Sequence, residues 1–302
     1  PDAIGLTLWN LLNALVLAWA ILSLPKMSER QKSLVLLVAA IEAMTSMQNE
    51  QSNALIAGLL IFAFVFCEKE KYFFAIGCIL LASFIKPFGL AGFALFLFYP
   101  EKLKNMGKAL LWAGVLFALP LVAIHGKELI LQYQAWLGVL AKDQAHEYGY
   151  SVAGWLHTWF HFEPNKNLLT GMGMALFMIP FLRIKLFSVF EFRLLALSSL
   201  LVWIVIFNHM AESPTFIIAL TGAGIWYFSK ENPTTVDTLL FLLAFAFASL
   251  STTDIVPHHI RRDLFRPYVI KAVPMIWLWS KILLDMLRFG KSAGNTSIPQ
   301  PA

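Results

Sequence analysis

The sequence predicts an all-α, polytopic integral membrane bundle, and three observations carry the prediction. Hydrophobic residues make up 59% of the 302 and charged residues only 14%, where a water-soluble domain carries about 25% charged residues. Apolar runs recur from one end to the other, so the excess is neither a single core nor a signal peptide. The runs are also continuous, not alternating, which fits helices and not the short dyad-patterned strands of a barrel. The spans fall at 4–24, 33–47, 52–67, 72–86, 88–99, 109–124, 169–182, 192–208, 214–228, 236–250 and 268–287. Several are shorter than the roughly 20 residues of a full crossing, giving about 9–11 membrane segments. Residues 1–290 read as one transmembrane domain and 291–302 as a polar tail.

The second run contains Glu42, with no cation at helical spacing, so its carboxylate is expected to face the bundle interior, hydrogen-bonded or relaying protons. The turn that follows, "SMQNEQSNALIAGLL", sets Gln51, Ser52 and Asn53 at the start of the third helix. Ser52 or Asn53 fits as its N-cap; the competing reading makes these amides hydrogen-bond partners of a sugar. The stretch "SFIKPFGLAGFALF" places Lys86 among apolar residues with Pro87 behind it. Proline ends the preceding helix, so 72–86 and 88–99 read as a half-length, re-entrant pair with Lys86 at the turn. A lysine there either snorkels to the interface or projects into a wet cavity.

Residues 125–168 form the longest polar stretch. Leu129, Tyr133, Trp136, Leu137 and Leu140 share one face of an amphipathic helix suited to the membrane interface. "HEYGYSVAGWLHTWFHFEP" is rich in aromatic rings that suit interfacial anchoring or sugar stacking. His157 and His161 are four apart, and His146 is a weak third metal ligand. The turn "VIFNHMAESPTFII" gathers Asn208, His209, Glu212 and Ser213, with Pro214 opening the next helix. "HHIRRDLFRP" adds Arg261, Arg262 and Arg266, which suit an anionic phosphate, a lipid headgroup, or pairing with Asp254 or Asp263. Asp285 has Lys281 and Arg288 at helical spacing, an ordinary local ion pair.

With the N-terminal end of the first span outside, the 23 Lys and Arg divide fourteen inside to eight outside, with Lys281 in the last span. That bias sets the orientation. The net charge of +5 then suits anionic headgroups; no helix-turn-helix or basic-aromatic stripe points to nucleic acid. Cys67 and Cys78 match no metal spacing and no disulfide framework.

The opening "LWNLLNALVLAWAI", the turn with Gln51 and Asn53, the Ile-Lys-Pro turn at Lys86, the aromatic outer loop and the Asn208-His209 pair together resemble glycosyltransferase family 87 of the GT-C superfamily. The resemblance implies a multi-pass enzyme of the cytoplasmic membrane, its active face outward. It would transfer a mannose-like hexose from a polyprenyl-phosphate donor to a hydroxyl on a glycan or glycolipid acceptor. Donor phosphate contacts fall on Lys86, His209, Arg261 and Arg262; sugar or acceptor contacts fall on Gln51, Asn53, Asn208, Glu212 and Ser151. No cofactor is required, since these cations can meet the phosphate, though a divalent metal is compatible. The family's Asn-Gln-Ser step is replaced here by Gly149, Tyr150 and Ser151. The family also carries its catalytic aspartate in the first external loop, and the abrupt start "PDAIGLTLWN" leads to the expectation that this loop lies upstream of Pro1, so Asp2 is not taken as the base. The other reading of the same outward cations is a transporter or flippase for a lipid-linked or anionic glycan, which should show structural repeats; a membrane scaffold would need no grouped cations.

Overall fold

A computed structural model describes residues 2–143, 148–253 and 255–290, and among them every regular element is helical. The chain runs through α1 (Asp2–Leu22), α2 (Glu29–Gln48), α3 (Asn53–Glu68) and α4 (Tyr72–Ile85), then a 3-10 helix at Pro87–Phe98. It continues with α5 (Lys102–Ala118), α6 (Gly126–Asp143), α7 (Val152–Phe160), α8 (Lys166–Met178), α9 (Phe190–Ile206) and α10 (Phe216–Phe228). α11 (Thr235–Ala248), the single turn α12 (His258–Ile260) and α13 (Val273–Arg288) complete it. Each apolar run expected to span thus becomes helix. His146, Asp254 and the tail 291–302 lie outside the described residues, as does the Leu140 side chain.

Local chemistry explains several starts. α2 opens with a capping box in which Ser28 Oγ accepts from Gln31 N at 3.3 Å and Gln31 Oε1 accepts from Ser28 N at 2.8 Å. Thr234 and Asp237 do the same for α11. Such reciprocal caps satisfy amides that no helical carbonyl reaches. The expected cap at Ser52 is a correction: its side chain makes no capping bond. Instead Asn13 Oδ1 of α1 accepts from Leu55 N at 3.0 Å, so a neighbouring helix supplies the missing acceptor.

The segment after Lys86 is also corrected, from α-helix to twelve residues of 3-10 helix. It doubles back tightly on α4. A Cβ on Gly89 would lie 2.6 Å from Ser83 N and 2.7 Å from the Ala82 carbonyl carbon, so glycine is what lets the two backbones touch. Such a long 3-10 run is uncommon, and here it is held by a neighbour and not by its own bonds alone.

The centre of the bundle is α3, α9 and α10, whose side chains are buried nearly all the way round. α1, α2, α4 and α13 pack around them. The outer helices invert the soluble pattern: Val122 is 88% and Leu103 81% exposed, and Leu8, Trp19 and Leu110 face outward too. Two helical stretches, Asp2–Leu22 and Lys102–Val122, are long and apolar enough to cross a membrane; other apolar helices among the described residues run 10–17 residues. Polar bonds tie helices together: Arg193 grips Glu68 in a fork at 2.6 and 2.7 Å, and Tyr99 Oη donates to the same carboxylate at 2.5 Å. At the same end, Asp285 accepts from Lys281 as expected, but also from Lys230 at 2.7 Å and Trp226 Nε1 at 2.9 Å. Asp237 adds ion pairs to Lys281 and Lys230, while Arg288 takes no part in this network.

Candidate functional site

Lys86 occupies extended backbone between α4 and the 3-10 helix. Its Nζ donates to Gln51 Oε1 and to Asn53 Oδ1, each at 2.9 Å. Gln51 Nε2 in turn reaches Glu212 Oε2 at 3.4 Å. Three segments distant in sequence therefore meet, with one cation, one carboxylate and two amides. Asn53 is fully buried, and its Nδ2 has no hydrogen-bond partner among the described residues. A buried donor left so costs about 1–3 kcal/mol, which a ligand oxygen would recover.

The turn carrying His209 is braced from the side. Gly149 has φ +51°, and a Cβ there would sit 2.6 Å from His209 O. Tyr150 N donates to Ala211 O at 2.8 Å. The loop 148–151 thus lies directly against 208–212, which half-buries His209. Asn208 shapes its own turn: its Oδ1 accepts from Met210 N at 3.0 Å. Ser151 is occupied as well, capping α7 through Gly154 N at 3.2 Å and donating to Tyr148 O at 2.5 Å.

Glu42 finds a partner that helical spacing could not reveal. Lys271 Nζ donates to Glu42 Oε2 at 2.9 Å, to Ser213 Oγ at 2.8 Å and to Ser213 O at 3.1 Å. Glu42 is 0% and Lys271 4% exposed. Ser213 does not cap the helix that Pro214 opens: its hydroxyl receives Lys271, while Thr215 Oγ1 accepts from Glu212 N at 3.3 Å. The sequence held a clue, since a lone carboxylate in an apolar helix demands a cation, and Lys271 sits at the edge of the last run.

Two cavities flank these groups. One, of about 490 Å³, has Arg261, Arg266, Lys271, Ser213 and Tyr150 in its wall. The other, of about 660 Å³, is almost wholly apolar and runs between α4, α5 and α6, with Ser83 and Pro87 at the Lys86 end. Part of the amphipathic face of α6 closes it: Leu129, Tyr133 and Trp136 line it, and Tyr133 Oη donates to Phe117 O at 2.9 Å. Arg262 stands apart, exposed and forked onto Asp263 at 2.6 and 2.9 Å. The expected single gathering of cations is thus split between Lys86 on one side of residues 212–213 and Arg261 and Arg266 on the other. His157 stacks on Tyr148 at 4.6 Å and shares an open cleft with Trp159 and His161. Among the described residues no three His, Cys, Asp or Glu side chains are grouped to hold a metal.

Residues 1–228 match the profile of glycosyltransferase family 87. No curated protein matches the chain. The family match takes in Gln51, Asn53, Lys86, Ser151, Asn208, His209 and Glu212, and ends before Arg261. Spanning 228 of the 302 residues, it shows that the chain belongs to glycosyltransferase family 87, with a glycosyltransferase-type activity.

Proposed function

We propose that the protein is a multi-pass membrane hexosyltransferase that takes a mannose-like sugar from a polyprenyl-phosphate donor and passes it to a hydroxyl of a glycan or glycolipid, at the outer face of the cytoplasmic membrane. The observation that carries the reading is the Lys86 cluster: a half-buried ammonium set by two amide oxygens, beside a buried amide donor without a partner. The exposed apolar flanks of α1 and α5 support a lipid surround, since side chains of this kind in such density mark a membrane or protein contact. Basic residues concentrated on one side support the orientation.

In this reading the acceptor oxygen attacks the anomeric carbon, the bond from that carbon to the phosphate oxygen breaks, and the polyprenyl phosphate leaves with the electron pair. Lys86 meets the charge that grows on the leaving oxygen, with His209 on the adjoining turn as a second donor. Fixed positive charge aimed at a developing anion is worth several kcal/mol in a site that excludes water. Gln51, Asn53 and Glu212 orient sugar hydroxyls, and Asn208 and Ser151 shape the wall by holding their own turns. The apolar cavity that ends at Ser83 and Pro87 suits the isoprenoid chain, whose phosphate would then emerge at Lys86. The base that accepts the acceptor's proton is not among these assigned groups.

The test is transfer of radiolabelled hexose from a polyprenyl phosphate by the purified protein in detergent. Lys86→Ala should lower turnover by about 100-fold or more, in line with loss of one oxyanion donor, with folded yield little changed. Transfer at the wild-type rate would remove Lys86 from the mechanism. Product formed in detergent, where no gradient exists, also separates a transferase from the flippase reading.

A further inference from the structure

The open cleft of about 720 Å³ beside α7 has no part in the reading above. One wall is the end of α7, with His157, Thr158, Trp159 and His161; the other is the segment 264–270, with Tyr268 among apolar side chains. Trp159 Nε1 donates to Tyr268 O at 2.7 Å, which ties the indole to the facing wall. Trp159 is nonetheless 43% exposed, and Tyr268 is exposed as well. The described lining holds no lysine, arginine, aspartate or glutamate, so an ionic ligand finds no counter-charge in it. It does hold hydrogen-bonding groups. His157 Nδ1 is buried without a hydrogen-bond partner among the described residues, and a ligand hydroxyl reaching it would remove that cost. The backbone is unusual on both walls: His161 has φ +53°, and Val269, between Tyr268 and Ile270, has φ +52°. A β-branched residue rarely adopts this left-handed conformation, and such strain collects at ligand-binding surfaces. The cleft also adjoins the candidate site, since Tyr148, stacked on His157, precedes Gly149, which lies against His209 O.

We propose that this cleft binds an uncharged hexose unit of the acceptor glycan, other than the unit that bears the reacting hydroxyl. A sugar ring has an apolar C–H face and a rim of hydroxyls. The face suits an exposed indole, and the rim suits imidazole and threonine groups, the mixture of aromatic wall and few polar points typical of small-ligand sites. An acyl chain would leave those polar groups unpaired. A phosphate or a charged peptide would meet no opposite charge. The ligand's identity rests on the sugar-transfer reading, but its binding is measured without any transfer.

The test is equilibrium dialysis of radiolabelled mannotriose against the full chain in phosphatidylcholine nanodiscs, which carry no sugar headgroup to compete. Binding should be saturable and displaced by unlabelled mannotriose. Trp159→Ala should weaken it about tenfold, the loss of one aromatic contact, and Trp159→Phe, which keeps a ring, should weaken it less. His157→Phe keeps a ring to stack on Tyr148 but removes the nitrogens, and should also weaken binding. Trp159 is exposed, so its variants are expected to fold, and an unchanged thermal midpoint checks that. Lys86→Gln should bind mannotriose as the unaltered protein does. No saturable binding overturns the proposal. Full affinity in Trp159→Ala overturns it too, and assigns the indole to the membrane interface. Equal losses in Lys86→Gln and Trp159→Ala would put the sugar at the Lys86 cluster and overturn a separate cleft. Binding that depends on Trp159 in a protein that transfers no hexose would sink the transferase reading and leave the cleft standing.

Discussion

Removing the Lys271 ammonium should destabilise the bundle far more than removing both members of its ion pair. Lys271→Met leaves a fully buried carboxylate, Glu42, without the cation that now sits 2.9 Å away. It also leaves Ser213 Oγ and O without their donor. Stranding one partner of a buried pair costs about 3–5 kcal/mol. Glu42→Gln is milder, because the lysine keeps two acceptors on Ser213 and lies over the Phe216 ring at 5.1 Å; about 1–3 kcal/mol is expected. The double variant Glu42→Gln with Lys271→Met strands no charge, and replacements of this sort are often close to neutral. With single losses of that size and a near-neutral double variant, the cycle should show a coupling of at least about 4 kcal/mol, above the usual range for contacting residues. The assay is denaturant unfolding of the four full-length proteins in mixed micelles. Strictly additive losses would refute the argument, since they would mean that Glu42 and Lys271 do not sense each other.

Two further outcomes compare a crowded glycine with an open one. Gly89→Ala should cost about 1–3 kcal/mol by pressing a methyl group into the α4 backbone, and should reduce transfer by displacing Lys86. Gly107→Ala on α5, where a Cβ meets open space, should be neutral or stabilising by up to about 1 kcal/mol from helix propensity; thermal midpoints of the two variants compare them directly.

How much of this was legible in the sequence follows from the range of each interaction. Helices show in hydrophobicity because backbone bonding is local and an apolar run has few other solutions, so every expected span returns as helix. Lys86 was legible for the same reason: a proline behind a lysine in an apolar stretch forces a turn, whatever lies around it. Its meeting with Gln51 and Asn53 was legible only as a shared end of the bundle, and the Glu212 contact came from the alternation of turns.

The contacts that could not be read are those between residues far apart in sequence whose periodicity carries no trace of the partner. Glu42 and Lys271 are separated by 229 positions, and Glu68 and Arg193 by 125. Asp237 belongs to the capping box of α11, and its carboxylate also receives Lys230 and Lys281. In each case the sequence displayed a charge that could not stay alone in an apolar setting, and the geometry decided which partner it took. The same logic separates the cations at the candidate site. A basic segment such as 258–267 predicts an anion but not which side chain will face it. Here one turn of π-helical backbone at Arg261–Phe265 directs Arg261 into the cavity and leaves Arg262 outside on Asp263. Adjacent arginines of identical chemistry therefore acquire different roles from about one residue's rotation along a helix, a distinction that composition cannot make and packing does.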